Sequence, residues 1–172
     1  KYFGEIKRGE EITPLKKRPA IVRETVKFVH EDNFARLPEL TMVWPAVEQY
    51  HPDSYALDVL AQYLSQGKRA PFYQVLVEDK KVAPNVRISN DTSELAGQFE
   101  LSVRAFADQD LDAAAAAVGE AFAKFEREGI SDQDLSRIKA GQETFFYASL
   151  SSVLGKSVQL AQGSIFANDP AF

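Results

Sequence analysis

The chain has 172 residues, 45% of them hydrophobic, and no cysteine; it is long enough to bury a core without disulfides and lacks thiolates for zinc, iron–sulfur or nucleophilic chemistry. Twenty-five acidic residues against twenty basic ones give a net charge of −5, which argues against a phosphate-backbone binder. No apolar run approaches the ~20 residues of a membrane-spanning helix.

Lys1-Tyr2-Phe3-Gly4-Glu5 reads as a helix end closed by Gly4, and no apolar core follows it as in a signal peptide. We therefore expect a fragment of a longer, multi-domain chain. Residues 1–20 are polar and interrupted by Pro14 and Pro19, which predicts a lead-in linker, with Lys16-Lys17-Arg18 as a solvated face. Residues 21–172 are expected to form a single α+β domain. Ile21 to His30 alternates, with Val22, Glu24, Val26 and Phe28 on one side, and predicts a strand. Leu40 to Trp44 predicts a second strand, stopped by Pro45 and paired antiparallel with the first. Pro52 and Asp53 open a helix whose apolar stripe is Tyr55, Ala56, Val59, Leu60, Tyr63 and Leu64. Gln66 to Pro71 breaks it, and a short helix follows from Phe72 to Glu78.

Val82 to Ser89 and Gly97 to Ala107 predict two strands around the polar turn Asn90-Asp91-Thr92-Ser93. In the second, Phe99, Leu101, Val103 and Ala105 share the apolar side. Asp110 caps an alanine-rich helix that Gly129 stops, with Leu111, Ala114, Ala115, Val118, Ala121, Phe122 and Phe125 inward. Ser131 and Asp134 resemble a capping box. A continuous helix from Asp132 to Ala167 would be about 54 Å long, so a break near Ser151 and two helices are expected. This order predicts an α+β sandwich: one mostly antiparallel sheet with helices packed on one face.

The residues themselves hold little catalytic chemistry. His30-Glu31-Asp32 cannot converge on one ion from a strand, His51 lies on another element, and H-x-x-E-H does not occur. Ser149, Ser151 and Ser152 lie in a helical segment without a nucleophile elbow. Asp108, Asp110 and Asp112 stand where a helix dipole explains them. No Walker loop or dinucleotide fingerprint is present. Gly67-Lys68-Arg69-Ala70-Pro71 joins a small residue to two cations and is the loop best suited to touch a ligand.

In order, Lys1 to Ile6, Leu40 to Pro45, Leu57 to Leu64, Gly67 to Leu76, and Ser131 to Glu143 with Leu135 and Lys139 resemble the pitrilysin/insulinase family of zinc metallopeptidases. The mitochondrial processing peptidases belong to that family. The resemblance implies a LuxS/mitochondrial processing peptidase-like metallohydrolase domain, truncated at its N-terminus, and the second, non-zinc domain of a half. Zinc would belong to the parent, none to this fragment, and no catalytic residue to this domain. The family's substrate-binding Arg and Tyr align with Val77 and Pro84, neither of which donates a hydrogen bond from its side chain. Its chamber-facing loop aligns with Gln66 to Pro71, which makes Gly67, Lys68 and Arg69 the expected substrate contacts.

The expected function is a chamber-wall domain of an endopeptidase that cleaves peptides or unfolded polypeptides, inactive alone. Its expected partners are peptide substrate and neighbouring domains of the same parent, without nucleic acid or a membrane span. A bacterial, periplasmic or extracytoplasmic parent is expected. The alternative is a structural or assembly domain of an inactive homologue, like the scaffolding core subunits of ubiquinol–cytochrome c reductase. A binding module unrelated to peptidases would be indicated by an all-parallel sheet.

Overall fold

The computed structural model describes residues 4–7 and 9–171; the expected helix end at Lys1-Tyr2-Phe3 lies outside them. Regular structure begins with β1 (Glu39–Ala46) and α1 (Pro52–Ser65). A π-helical segment (Tyr73–Asp79) leads into β2 (Arg87–Thr92) and β3 (Gly97–Arg104). Then come α2 (Leu111–Glu128), α3 (Asp132–Ser149) and α4 (Val153–Gln162), with a closing π-helical turn at Gly163–Ala167.

The strands form one antiparallel sheet in the order β1-β3-β2, with helices on one face. This is the expected α+β architecture, and the antiparallel sheet removes the all-parallel alternative. β3 sits in the middle because its alternation suits a strand with one buried face. Phe99, Leu101 and Val103 point inward and are at most 8% exposed, while Gln98 and Arg104 face solvent. Leu101 stands opposite Met42 on one side and Ile88 on the other, so the apolar rows of all three strands align. Phe72 and Val118 from the helical layer close over them, and the Phe72 ring meets Phe122 edge-on at 4.8 Å.

The expected strand from Ile21 to His30 does not form. The segment is extended but unpaired and exposed, with Val26 at 73% and Phe28 at 83%. Alternation favours a strand only where ladder partners exist, and Glu24 would put a carboxylate in the middle of the buried row. β1 instead pairs with β3 and runs through Pro45 to Ala46, which an edge strand tolerates. β2 begins later than expected and extends through Asn90, Asp91 and Thr92. Val82 is occupied otherwise: its N–H donates to Leu76 O and its C=O accepts from Phe106.

The inward face of α1 keeps the second half of the expected stripe and departs from it in the first half. Leu64 is buried and Leu60 and Tyr63 pack on the core as expected, but Tyr55 is 49% exposed, whereas Ser54 and Ala61 are buried. Asn90 accounts for this, because its side-chain amide donates to Ser54 O and to Asp58 Oδ1 and fixes the helix over β2. The short helix after Pro71 is π-helical, which turns both Val75 and Leu76 into the core. α2 follows its expected stripe, with Asp110 accepting a hydrogen bond from Asp112 N–H and Gly129 ending the helix. The long C-terminal helix breaks as expected, and Ser152 caps α4 through Gly155 N–H.

Ser131 caps α3 by accepting from Asp134 N–H, but its hydroxyl donates to the Asp134 carboxylate. The reciprocal half of a capping box is therefore replaced by a side-chain contact, since Asp is one methylene shorter than Glu. That hydroxyl, followed by Arg137, holds the Asp134 carboxyl below the usual aspartate range.

Leu101→Ala should cost about 3 kcal/mol in urea unfolding, against under about 0.5 for exposed Thr41→Ala. Equal effects would contradict β3 as the central strand. At Gly97 a Cβ would lie 2.2 Å from Val47 O, so Gly97→Ala should destabilise by about 1–3 kcal/mol, whereas Gly119→Ala, facing open space, should not. A carboxyl depressed on folding stabilises the fold above its unfolded value, and that contribution is lost as pH falls through the folded one. The melting-temperature gap between the native chain and Asp134→Asn should therefore narrow from about pH 6 to about pH 2. A constant gap would contradict the Ser131–Asp134–Arg137 contact.

Candidate substrate-contact site

The loop Gln66 to Arg69 is held out from a rigid base. Leu64 and Ala70 at its two ends are 1% and 3% exposed, and Phe72 is fully buried. α1 ends because Gln66 adopts extended dihedrals and Gly67 takes φ +89, a conformation that a side chain at Cβ would strain. Gly67 C=O then accepts from Ala70 N–H at 3.0 Å, and Ala70 C=O from Gln74 N–H at 3.0 Å, which starts the next helical segment. Gly67, Lys68 and Arg69 are exposed on this turn.

The turn is joined to the start of α3. Tyr63 O–H donates to Gly129 O at 2.6 Å and so ties α1 to the α2–α3 junction. Burial raises the Tyr63 phenol pKa, and the charges of Asp134 and Glu128 add to it. Arg137 Nη2 donates to Asp134 Oδ1 at 3.2 Å. Arg69 adds a weaker coulombic attraction to the same carboxylate.

A small cleft opens beside this group. Gln62 of α1 and Gln66 just after it face Arg137, Ile138 and Gly141 of α3 around about 130 Å³. Neither glutamine side chain has a hydrogen-bond partner among the described residues. Gly141 lies inside α3 with nothing within 4 Å of where a Cβ would stand. A glycine there costs about 1 kcal/mol of helix stability relative to alanine, with no packing requirement to explain it. These cleft residues escaped the sequence reading. Arg137 and Gly141 are four apart on α3, and Gln62 and Gln66 flank the end of α1, but the sequence does not pair the two helices.

Of the two positions where the resemblance expects Arg and Tyr, Val77 is half-buried in the π-helical segment and Pro84 is exposed before β2. Their side chains offer no donor to an oxyanion. The residues do not fit a zinc ion. His51 Nδ1 accepts from Asp53 N–H at the start of α1, where the helix dipole disfavours a cation, and His30 lies in the exposed segment. Among the described residues no three His, Asp or Glu side chains gather as a metal site. Another hollow, of about 530 Å³, lies at the β2–β3 turn beside Asp91 and Glu94 and includes none of the expected contacts.

No curated protein matches the chain. Solved structures with the same fold include a protease from Helicobacter pylori, at 20% identity and a TM-score of 0.70, covering 80% of this chain and 33% of that one. A Bordetella pertussis protein named as a candidate zinc protease has 19% identity and a TM-score of 0.67, covering 78% and 73%. The periplasmic protease PqqL from Escherichia coli has 15% identity and a TM-score of 0.62, covering 81% and 15%. The chain thus spans about a third of the Helicobacter pylori protease. The sequence pattern of the family described as the peptidase M16 inactive domain matches residues 1–142, and the chain belongs to that family.

Proposed function

We propose that the chain is a non-catalytic wall of a zinc-dependent endopeptidase, and that it touches peptide substrate through Gly67, Lys68 and Arg69. The observation that carries this reading is the pairing of an inactive-domain sequence with a displayed cationic turn. Residues 1–142 match the inactive domain, and two exposed cations stand on a turn whose ends are buried. The zinc and the groups that activate water belong, in this reading, to another domain of the parent, which cleaves peptides or unfolded polypeptides. The linker at residues 1–20 joins the two. The periplasmic location in the name of PqqL supports a periplasmic or extracytoplasmic parent. No helix among the described residues is long and apolar enough to cross a membrane.

A second reading, a structural or assembly domain of an inactive homologue, is favoured by the attraction of Arg69 to Asp134 within the same chain. Charge reversal separates the two. In the full-length parent, Lys68→Glu with Arg69→Glu should weaken peptide affinity about tenfold, or ~1.4 kcal/mol, with the cleavage step unchanged and the loss smaller at high salt. If cleavage of every peptide is unchanged, the turn does not contact substrate and the structural reading stands.

A further inference from the structure

We propose that the α1–α3 cleft binds a carboxylate of an extended peptide, with Arg137 as its charged anchor and Gln62 and Gln66 as hydrogen-bonding partners of the adjoining peptide backbone. This deepens the substrate-contact reading of the neighbouring turn and rests on it. Arg137 spends one N–H on Asp134 and keeps others in its planar fork, and its side chain is 60% exposed. Arg137 is the one charged residue among those that line the cleft, and the rest of the lining is neutral. That lone guanidinium favours an anion over a cation in the cleft.

The two glutamine amides each offer a donor pair and an acceptor, the complement of a peptide group, and both line the cleft, Gln62 from the last turn of α1 and Gln66 from the residue that ends it. The cleft's volume of about 130 Å³ suits a carboxylate-bearing side chain or a chain terminus. Ile138, 7% exposed, belongs to its wall, and the bare Gly141 keeps it open. A Cβ at that position would meet no atom within 4 Å, so a side chain there has room on the cleft's lining.

The test measures fluorescence anisotropy of labelled peptides with the full chain. One peptide sequence is made with an internal Glu or Gln, and with a free or amidated C-terminus. The Glu peptide, the free terminus, or both should bind about tenfold tighter than the fully neutral form, and the preferred arm identifies the carboxylate's source. Arg137→Gln should remove that preference. Gly141→Leu should fill the cleft and weaken binding at least tenfold while the melting temperature stays level or rises, because leucine is the better helix former. Equal binding of neutral and acidic peptides, or unchanged binding by either variant, overturns the carboxylate cleft. If binding is then still lost with Lys68→Glu and Arg69→Glu, the turn's role survives without the cleft; if no peptide binds at all, both fall.

Discussion

The fold depends on the buried side of β3. Phe99, Leu101 and Val103 form the middle apolar row of a three-stranded sheet, and β1 and β2 are each paired to that strand alone. Every helix that shields the sheet rests on this row or on its neighbours Met42 and Ile88. A fully buried Leu contributes roughly 1.5–3 kcal/mol by leaving water, so these few side chains outweigh the exposed ion pairs, each worth at most about 1 kcal/mol. Lys80–Glu120 joins exposed side chains and belongs to the second category.

The same row sets the place of the cationic turn. Leu64 and Phe72 belong to the core that lies over β3, and the turn is the short stretch between them that cannot sink into it. Gly67 supplies the backbone reversal, and Lys68 and Arg69 are displayed because both ends are fixed. α3 is carried to the turn by the Tyr63 hydroxyl on Gly129, which places Arg137 and Gly141 beside Gln62 and Gln66. Rigid packing below thus orders a polar surface above, the arrangement that binding loops on stable scaffolds commonly have.

Much of this was legible in the residues. The alternation of Phe99 to Ala105, the stripe of α2 between Asp110 and Gly129, and the break near Ser151 each come from local chemistry and appear where expected. The segment Ile21 to His30 has the same kind of local signal and no ladder, because strand formation depends on a partner that its own residues do not specify. The burial of Ser54 in place of Tyr55 on α1 was hidden for a similar reason, since Asn90 on β2 fixes Ser54 and Asp58 across a long separation in sequence. At the site, the turn was legible from Gly67 and its two cations. The cleft was not, because it exists only where two helices cross.

The central claim is that this domain contacts peptide and performs no hydrolysis. The most direct test incubates the 172-residue chain with zinc and an internally quenched peptide, following cleavage with and without a chelator. The account predicts peptide binding with no cleavage above the buffer rate in either condition. Chelator-sensitive hydrolysis by the purified chain would contradict it.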